Sequence, residues 1–315
     1  MEHRLLGNSG LKVPVVGLGC NNFGGRLDPK ETALVLNECI EEGLNFFDTA
    51  NVYGGGLSED YMGKALKGKR HEVLLATKAG MSVGDGPNES GSSRKHLMQQ
   101  IDVSLSRLQT DYIDLYQIHR HDPNTPVEET MRALDDLVTQ GKVRYIGCSN
   151  YAAWQIAESN GVANNLNLQP FVTVQPEYSM MKRDVEKEIS PAAAKLGLGI
   201  LPYFPLASGF LTGKYKRGAG TPDGTRLAGN QQRADATLTS SNFDLLEKLE
   251  DFASQRGCSM VELAIAWLLA NPSVSCVIAG ATKPEQVKAN AKAGDCKLTL
   301  DEKAELDSIL EQHGF

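Results

Sequence analysis

These 315 residues show no surplus of positive charge, no paired cysteine motif, no long apolar run and no internal repeat. Lysine and arginine number 32 against 39 acidic residues, a net charge of -7. A nucleic-acid backbone or an anionic membrane surface calls for the opposite sign, so neither is an expected partner. Cys20, Cys39, Cys148, Cys258, Cys276 and Cys296 are scattered without C-x-x-C spacing, which removes a zinc ribbon and a disulfide framework and leaves reduced core thiols. No segment supplies the roughly 18 apolar residues of a spanning helix. The N-terminal stretch has charges within its first four residues and no uninterrupted apolar h-region of a signal peptide, and a cytoplasmic location is expected. With no repeat, charge block or linker, residues 1–315 are expected to form one domain.

Short apolar runs alternate with longer segments of helical period, the pattern of βα units around a parallel sheet. The expected strands are Val15 to Leu18, Asn45 to Phe47, Val73 to Thr77, Tyr112 to Ile118, Tyr145 to Cys148, Phe171 to Val174, Gly199 to Pro202 and Ser275 to Ala279. Expected helices run from Pro29 to Glu42, Ser93 to Leu108, Pro126 to Gln140, Asp184 to Leu196, Asn242 to Arg256 and Lys283 to Ala293. Asp28 before Pro29 and Thr125 before Pro126 are the expected N-caps. Close to eight such units can be counted, so a (β/α)8 TIM barrel is expected, and the turn Gly7-Asn8-Ser9-Gly10 is expected to make an N-terminal β-hairpin at its bottom. Phe46, Ile113, Leu115, Ile146, Val172 and Ile200 read as packing inside that barrel. Gly80 to Ser92 and Ser208 to Thr239 lack periodicity and read as loops over the active-site face.

Polar residues stand at the ends of successive strands: Asp48, Lys78, His119, then Ser149 with Asn150, Gln175 and Tyr203. In a barrel those ends converge on one mouth. Glycines 54 to 56 let the chain return sharply enough to bring Tyr53 over it. A phenol is a weak acid at neutral pH, with an unperturbed pKa of about 10. A buried ammonium at Lys78 would lower it, and Asp48 would keep that ammonium charged. A neutral His119 would donate one N–H to a carbonyl oxygen. Taken singly, each residue has a plain structural reading as a cap, a strand end or a rim contact. Their joint order and placement point to acid-assisted reduction of a carbonyl.

Gly43 to Tyr53, Leu74 to Lys78, Asp111 to His119, Gly141 to Asn150, Pro202 to Tyr215 and Gly280 to Gln286 resemble the aldo-keto reductase family over nearly the whole chain. The resemblance implies hydride transfer between NADPH and a small aldehyde, ketone or sugar, with Asp48, Tyr53, Lys78 and His119 as the catalytic tetrad. It implies that Ser149, Asn150 and Gln175 hold the nicotinamide carboxamide and that Tyr203 stacks on its ring. Gly19, Cys20 and Asn21 then shape the floor beside that ring. Pro205, Leu206, Gly209, Leu211 and Lys214 lie along the pyrophosphate, and Gly280, Thr282, Lys283, Gln286 and Asn290 along the adenosine end. Lys283 and Arg226 are the cations expected to favour the extra phosphate of NADPH. Gln286 and Ala289 depart from the arginine and glutamate common at those places, and Phe204 from a serine.

Four other readings compete with this one. His119 and His121 have the His-x-His spacing of some metal sites, yet no third ligand is in evidence and no metal is expected. The run Gly17 to Gly24 resembles a dinucleotide fingerprint but carries Asn22 in place of its third glycine. A nicotinamide-sensing regulatory subunit like the potassium-channel β-subunits is the alternative function, and a phosphate-binding isomerase barrel a further one. The protein is expected to be a monomer or a weak homo-oligomer.

Overall fold

The computed structural model describes residues 1–315. At the N-terminus β1 (His3–Leu5) pairs antiparallel with β2 (Lys12–Pro14), Leu5 opposite Lys12. Their turn needs glycine at position 7, where φ is +56° and a Cβ would lie 2.4 Å from the carbonyl oxygen of Val172. The hairpin therefore seats against the bottom of the sheet and delivers Leu6 and Val13 into its interior.

Eight parallel strands follow in chain order: β3 (Val16–Gly19), β4 (Phe46–Asp48), β5 (Leu74–Ala79), β6 (Ile113–Ile118), β7 (Val143–Ser149), β8 (Thr173–Gln175), β9 (Gly199–Ile200) and β10 (Val277–Gly280). Each pairs with the next, and β10 pairs with β3, Val277 opposite Val16. Backbone bonds join the remaining edges: Ile200 donates to Ser273 at 2.7 Å, Ser275 to Ile200 at 3.0 Å and Ile278 to Pro202 at 2.9 Å. The sheet is thus a closed (β/α)8 barrel. β5 runs two residues beyond its expected end, so Lys78 lies within a strand, as do Asp48, Ser149 and Gln175.

The helices are α1 (Pro29–Glu41), α2 (Leu57–Ala65), α3 (Arg94–Leu108), α4 (Val127–Thr139), α5 (Ala153–Asn165), α6 (Ile189–Leu196), α7 (Gln231–Thr237), α8 (Ser240–Arg256), α9 (Met260–Leu269), α10 (Pro284–Ala293) and α11 (Leu300–Gln312). Asp28 caps α1 through a reciprocal pair with Glu31, a device that contributes about 1 kcal/mol. Thr125 does not cap α4: its hydroxyl donates to Asp122 at 2.6 Å, a charged and nearer acceptor, and the helix opens after Pro126 without a side-chain cap. The helix expected from Asp184 to Leu196 is broken into a 3-10 turn, Asp184–Glu186, and α6. Pro191 has no N–H for the carbonyl of Lys187, and its ring crowds that carbonyl. α9 escaped periodicity because it is apolar on nearly every side and almost wholly buried. α7 lies inside the segment expected to be entirely loop.

Two apolar layers result. Leu6, Val13, Phe46, Ala76, Leu115, Leu201, Cys276 and Ile278 fill the barrel interior, and a larger layer joins the sheet to its helices. Phe46 and Leu115 are inside as expected, whereas Ile113, Ile146 and Ile200 belong to the outer layer and Val172 is only partly buried. The two-residue alternation of a strand sends Tyr116 and Ile118 outward and leaves Leu115 inside. No helix is long and apolar enough to cross a membrane.

Candidate active site

Three elements build the floor of the barrel mouth. Asp48 ends β4, Lys78 comes from β5, and Tyr53 opens a 3-10 turn (Tyr53–Gly56) in which Gly54, Gly55 and Gly56 have φ of 58°, 66° and 96°. Only glycine adopts three such conformations in succession without strain, and the turn folds the phenol back over the strands. Lys78 is fully buried and donates to Asp48 Oδ2 at 2.6 Å and to the Thr49 carbonyl at 2.8 Å; the Tyr53 hydroxyl lies 3.4 Å away. The other carboxylate oxygen of Asp48 accepts from the side-chain amides of Gln175 at 2.8 Å and Gln117 at 3.2 Å. Burial pulls the Lys78 ammonium down, but Asp48 and the phenol outweigh it and hold the pKa above its ordinary value.

The expected lowering of Tyr53 is corrected. Burial pushes its phenol up, and the ammonium of Lys78 only partly offsets this, so the net displacement is upward. Lys78 makes its two shortest bonds to Asp48 and Thr49, leaving a longer contact for the phenol. His119, at the end of β6, meets Tyr53 edge to face with ring centres 5.7 Å apart. Burial, then the charges of Lys78 and Arg120, lower it to about 3, and its buried Nδ1 has no hydrogen-bond partner. The imidazole is neutral across the physiological range.

These groups open on a cavity of about 700 Å³. Gly19, Cys20, Asn21, Ser149, Asn150 and Gln175 line it near Asp48 and His119. Ser149 donates to the Gln175 carbonyl at 2.8 Å, and Asn150, at φ +57°, bridges the His119 carbonyl and the Tyr203 hydroxyl. Burial raises the Tyr203 phenol. Farther along lie Pro205, Leu206, Gly209, Lys214 and Arg226, then Gly280, Thr282, Lys283, Gln286 and Asn290. Leu211 is the exception: the 3-10 turn Ala207–Thr212 turns it into the core, where it is fully buried and outside the cavity wall.

Sequence reasoning missed several contributors. Arg26 joins Lys214 and Arg226 on the wall, and none of the three has a carboxylate partner. Arg226 instead donates to the side chains of Asn21 and Asn22 at 2.8 and 3.0 Å and lies over the Phe204 ring. Burial and the charges of Arg26 and Arg226 lower Lys214. Gln117 was legible in principle, since it alternates with His119 on one strand face. Arg26 was not, because the long segment 208 to 239 brings its partner carbonyl, Gly224, from far along the chain. Gln286 accepts from the N–H and hydroxyl of Thr282, so its amide closes the start of α10. Asn290 keeps a buried, unpaired Nδ2 at the cavity. His121 packs edge-on against Tyr151 and Trp154, so the two histidines have separate neighbours. Cys20 and Cys148 are buried thiols that burial pushes upward, the opposite of an activated nucleophile.

Residues 15–311 match the Aldo/keto reductase family. A probable voltage-gated potassium channel subunit beta of Oryza sativa subsp. japonica is 42% identical over 302 residues, 94% of this chain and 92% of that protein. An uncharacterized oxidoreductase of Bacillus subtilis (strain 168), YrpG, is 40% identical over 309 residues, covering 95% and 92%. A putative voltage-gated potassium channel subunit beta of Schizosaccharomyces pombe is 38% identical over 323 residues, covering 98% and 92%. Barrel, cluster and relatives agree across nearly the full length, and the chain belongs to the aldo/keto reductase family of oxidoreductases.

Proposed function

We propose that the protein reduces the carbonyl group of small aldehydes, ketones or sugars with NADPH, Tyr53 delivering the proton. The observation that carries this reading is the buried Lys78–Asp48 pair against the Tyr53 hydroxyl at the floor of the cavity. The wall fits a dinucleotide. Arg26, Lys214 and Arg226 are cations held by neutral partners, as a pyrophosphate site requires, and the unpaired Asn290 amide and Lys283 stand ready for the adenosine and its 2′-phosphate. Gln175 uses its N–H on Asp48 and so offers its carbonyl oxygen, beside Ser149 and Asn150, to a carboxamide. Tyr203 supplies the aromatic face at the same end.

A reduced nicotinamide, when bound, supplies the hydride. Tyr53 then acts from its protonated state, which burial guarantees at neutral pH. As charge develops on the carbonyl oxygen the phenol gives up its proton, and the phenolate left behind faces a fixed ammonium that needs no reorganisation. Asp48 holds that ammonium charged and in place, and its two carboxylate oxygens accept three hydrogen bonds, from Lys78, Gln117 and Gln175. Neutral His119 orients the carbonyl by donating an N–H. A cytoplasmic setting suits six free cysteines and a reducing nicotinamide pool.

NADPH oxidation followed across a panel of carbonyl compounds tests the proposal. Turnover that disappears in Tyr53→Phe supports it, and undiminished turnover in that variant removes the phenol from its role. The names of the relatives from rice and fission yeast favour a second reading, a nicotinamide-sensing regulatory subunit. Tight NADPH binding without turnover of any carbonyl, together with a stoichiometric membrane partner in a pull-down, would establish that reading instead.

A further inference from the structure

Arginines elsewhere in the chain are held by carboxylates, carbonyls, side-chain amides or aromatic faces, as Arg107 is by Glu59, Arg144 by Tyr112 and Arg233 by Ser208 and Phe204. Arg120 is different. It is exposed, it stands on the cavity wall directly after His119, and its side chain has no hydrogen bond, ion pair or aromatic contact. Its charge reaches both His119 and Tyr203 and disfavours a proton on the first. Glu177 also acts on Tyr203 but is not part of the wall.

The charge balance of the cavity points the same way. Arg26, Arg120, Lys214, Arg226 and Lys283 face it against one carboxylate, Asp48, which the buried Lys78 neutralises. This concentration of positive charge sits in a chain whose net charge is -7. Arg26, Lys214 and Arg226 act on one another as a group, and Lys283 begins α10; the proposed dinucleotide phosphates account for these four. Arg120 is left, on the side of the cavity where the imidazole and the phenol stand.

We infer that the carbonyl substrate carries an anionic group, a carboxylate or a phosphate ester, which the Arg120 guanidinium grips while Tyr53 and His119 address the carbonyl. The inference rests on the reductase reading for its carbonyl but not for its anion. A guanidinium matches both oxyanions in a two-point geometry, and it is always charged. An unpartnered one beside a cavity floor selects for the anion through binding and has little direct effect on the chemical step.

The test uses the full chain and two matched pairs: 4-formylbenzoate with its methyl ester, and 4-formylphenyl phosphate with 4-methoxybenzaldehyde. In at least one pair the anionic member is expected to show kcat/KM about tenfold or more above its neutral partner, chiefly through KM. That ratio should collapse toward one in Arg120→Gln, survive in part in Arg120→Lys, and shrink as salt is added. The pair that shows the preference distinguishes carboxylate from phosphate. Equal ratios in the wild-type chain, or a ratio unmoved in Arg120→Gln, overturn the inference. Calorimetric binding of the alcohol 4-(hydroxymethyl)benzoate, with NADP+ present, separates the two readings. Turnover with no Arg120-dependent preference removes the anion site alone. Binding that depends on Arg120 without any turnover supports the anion site and removes the reductase reading, and the absence of both overturns both.

Discussion

At the scale of single residues, the decisive feature is how burial and charge divide the work between Tyr53, Lys78 and His119. On the proposed function, Tyr53→Phe removes the transferable proton and is expected to lower kcat by about 10²- to 10⁴-fold, while the NADPH dissociation constant, read by fluorescence quenching, stays within about threefold. Because burial raises the Tyr53 phenol and Lys78 draws it down, Lys78→Met should move the phenol's titration further up. The alkaline limb of the pH–rate profile is where this is seen; an unmoved limb in that variant would break the coupling. His119 gives a stability prediction. Unfolded, an imidazole takes up its proton near pH 6.5. Buried here, it does so only near 3. Unfolding therefore binds a proton between those values, and stability falls as pH falls through the window. Relative to His119→Asn, the wild-type chain should lose about 1.4 kcal/mol per pH unit between roughly pH 6 and pH 4 in denaturant titrations. The identities of these residues were legible because each stands at or beside a strand end. The direction of the Tyr53 displacement was not, since it depends on how deeply the phenol is covered and on a 3.4 Å separation that no spacing encodes.

At the scale of elements, the turn that carries Tyr53 is braced from behind. Glu59 on α2 is fully buried, accepting from the Thr77 hydroxyl at 2.6 Å and from Arg107 of α3 at 3.3 Å. Arg107 also donates to the Asn51 carbonyl at 2.9 Å, and its guanidinium lies where a Cβ on Gly56 would stand, at 2.4 Å. One ion pair thus ties α2, α3, the strand residue next to Lys78 and the loop leading into Tyr53. Burial raises the Glu59 carboxyl, and the hydroxyl and guanidinium oppose that. Glu59→Gln weakens the brace and is expected to cost about 2 kcal/mol in urea unfolding. It should lower kcat more than it changes KM, because in the proposed mechanism the turn presents the acid and not the substrate. A change confined to stability would show that the brace does not position Tyr53. None of this was visible as a motif. Glu59, Thr77 and Arg107 look like surface charge and a strand hydroxyl until the fold packs α2 against α3 and brings Glu59 onto Thr77 of β5.

At the scale of the whole molecule, the hairpin is a structural stopper and the cavity a property of the closed sheet. Leu6 reaches the barrel interior beside Phe46, Leu115 and Leu201 and is fully buried. Leu6→Ala should cost about 2–5 kcal/mol in chemical denaturation, and the active-site end of the barrel should keep its NADPH affinity. The sequence by itself determined the eight-unit count, the hairpin and the Asp48, Tyr53, Lys78 and His119 set, because strand alternation, glycine turns and strand-end polarity are local and survive in one dimension. It misplaced Thr125 as a cap and Leu211 as a cavity residue, and it left α2, α5, α7, α9 and α11 unread. Thr125 lost its cap role to Asp122, three residues away, and Leu211 turned into the core because of the 3-10 turn that carries it. The tertiary structure alone decided which apolar residues face inward, that Gln117 shares Asp48, that Arg26 joins Lys214 and Arg226, and that Arg120 is left unpartnered at the mouth. Barrel closure brings residues separated by tens to hundreds of positions within hydrogen-bond reach, and charge, burial and solvent access at a site are set by that proximity.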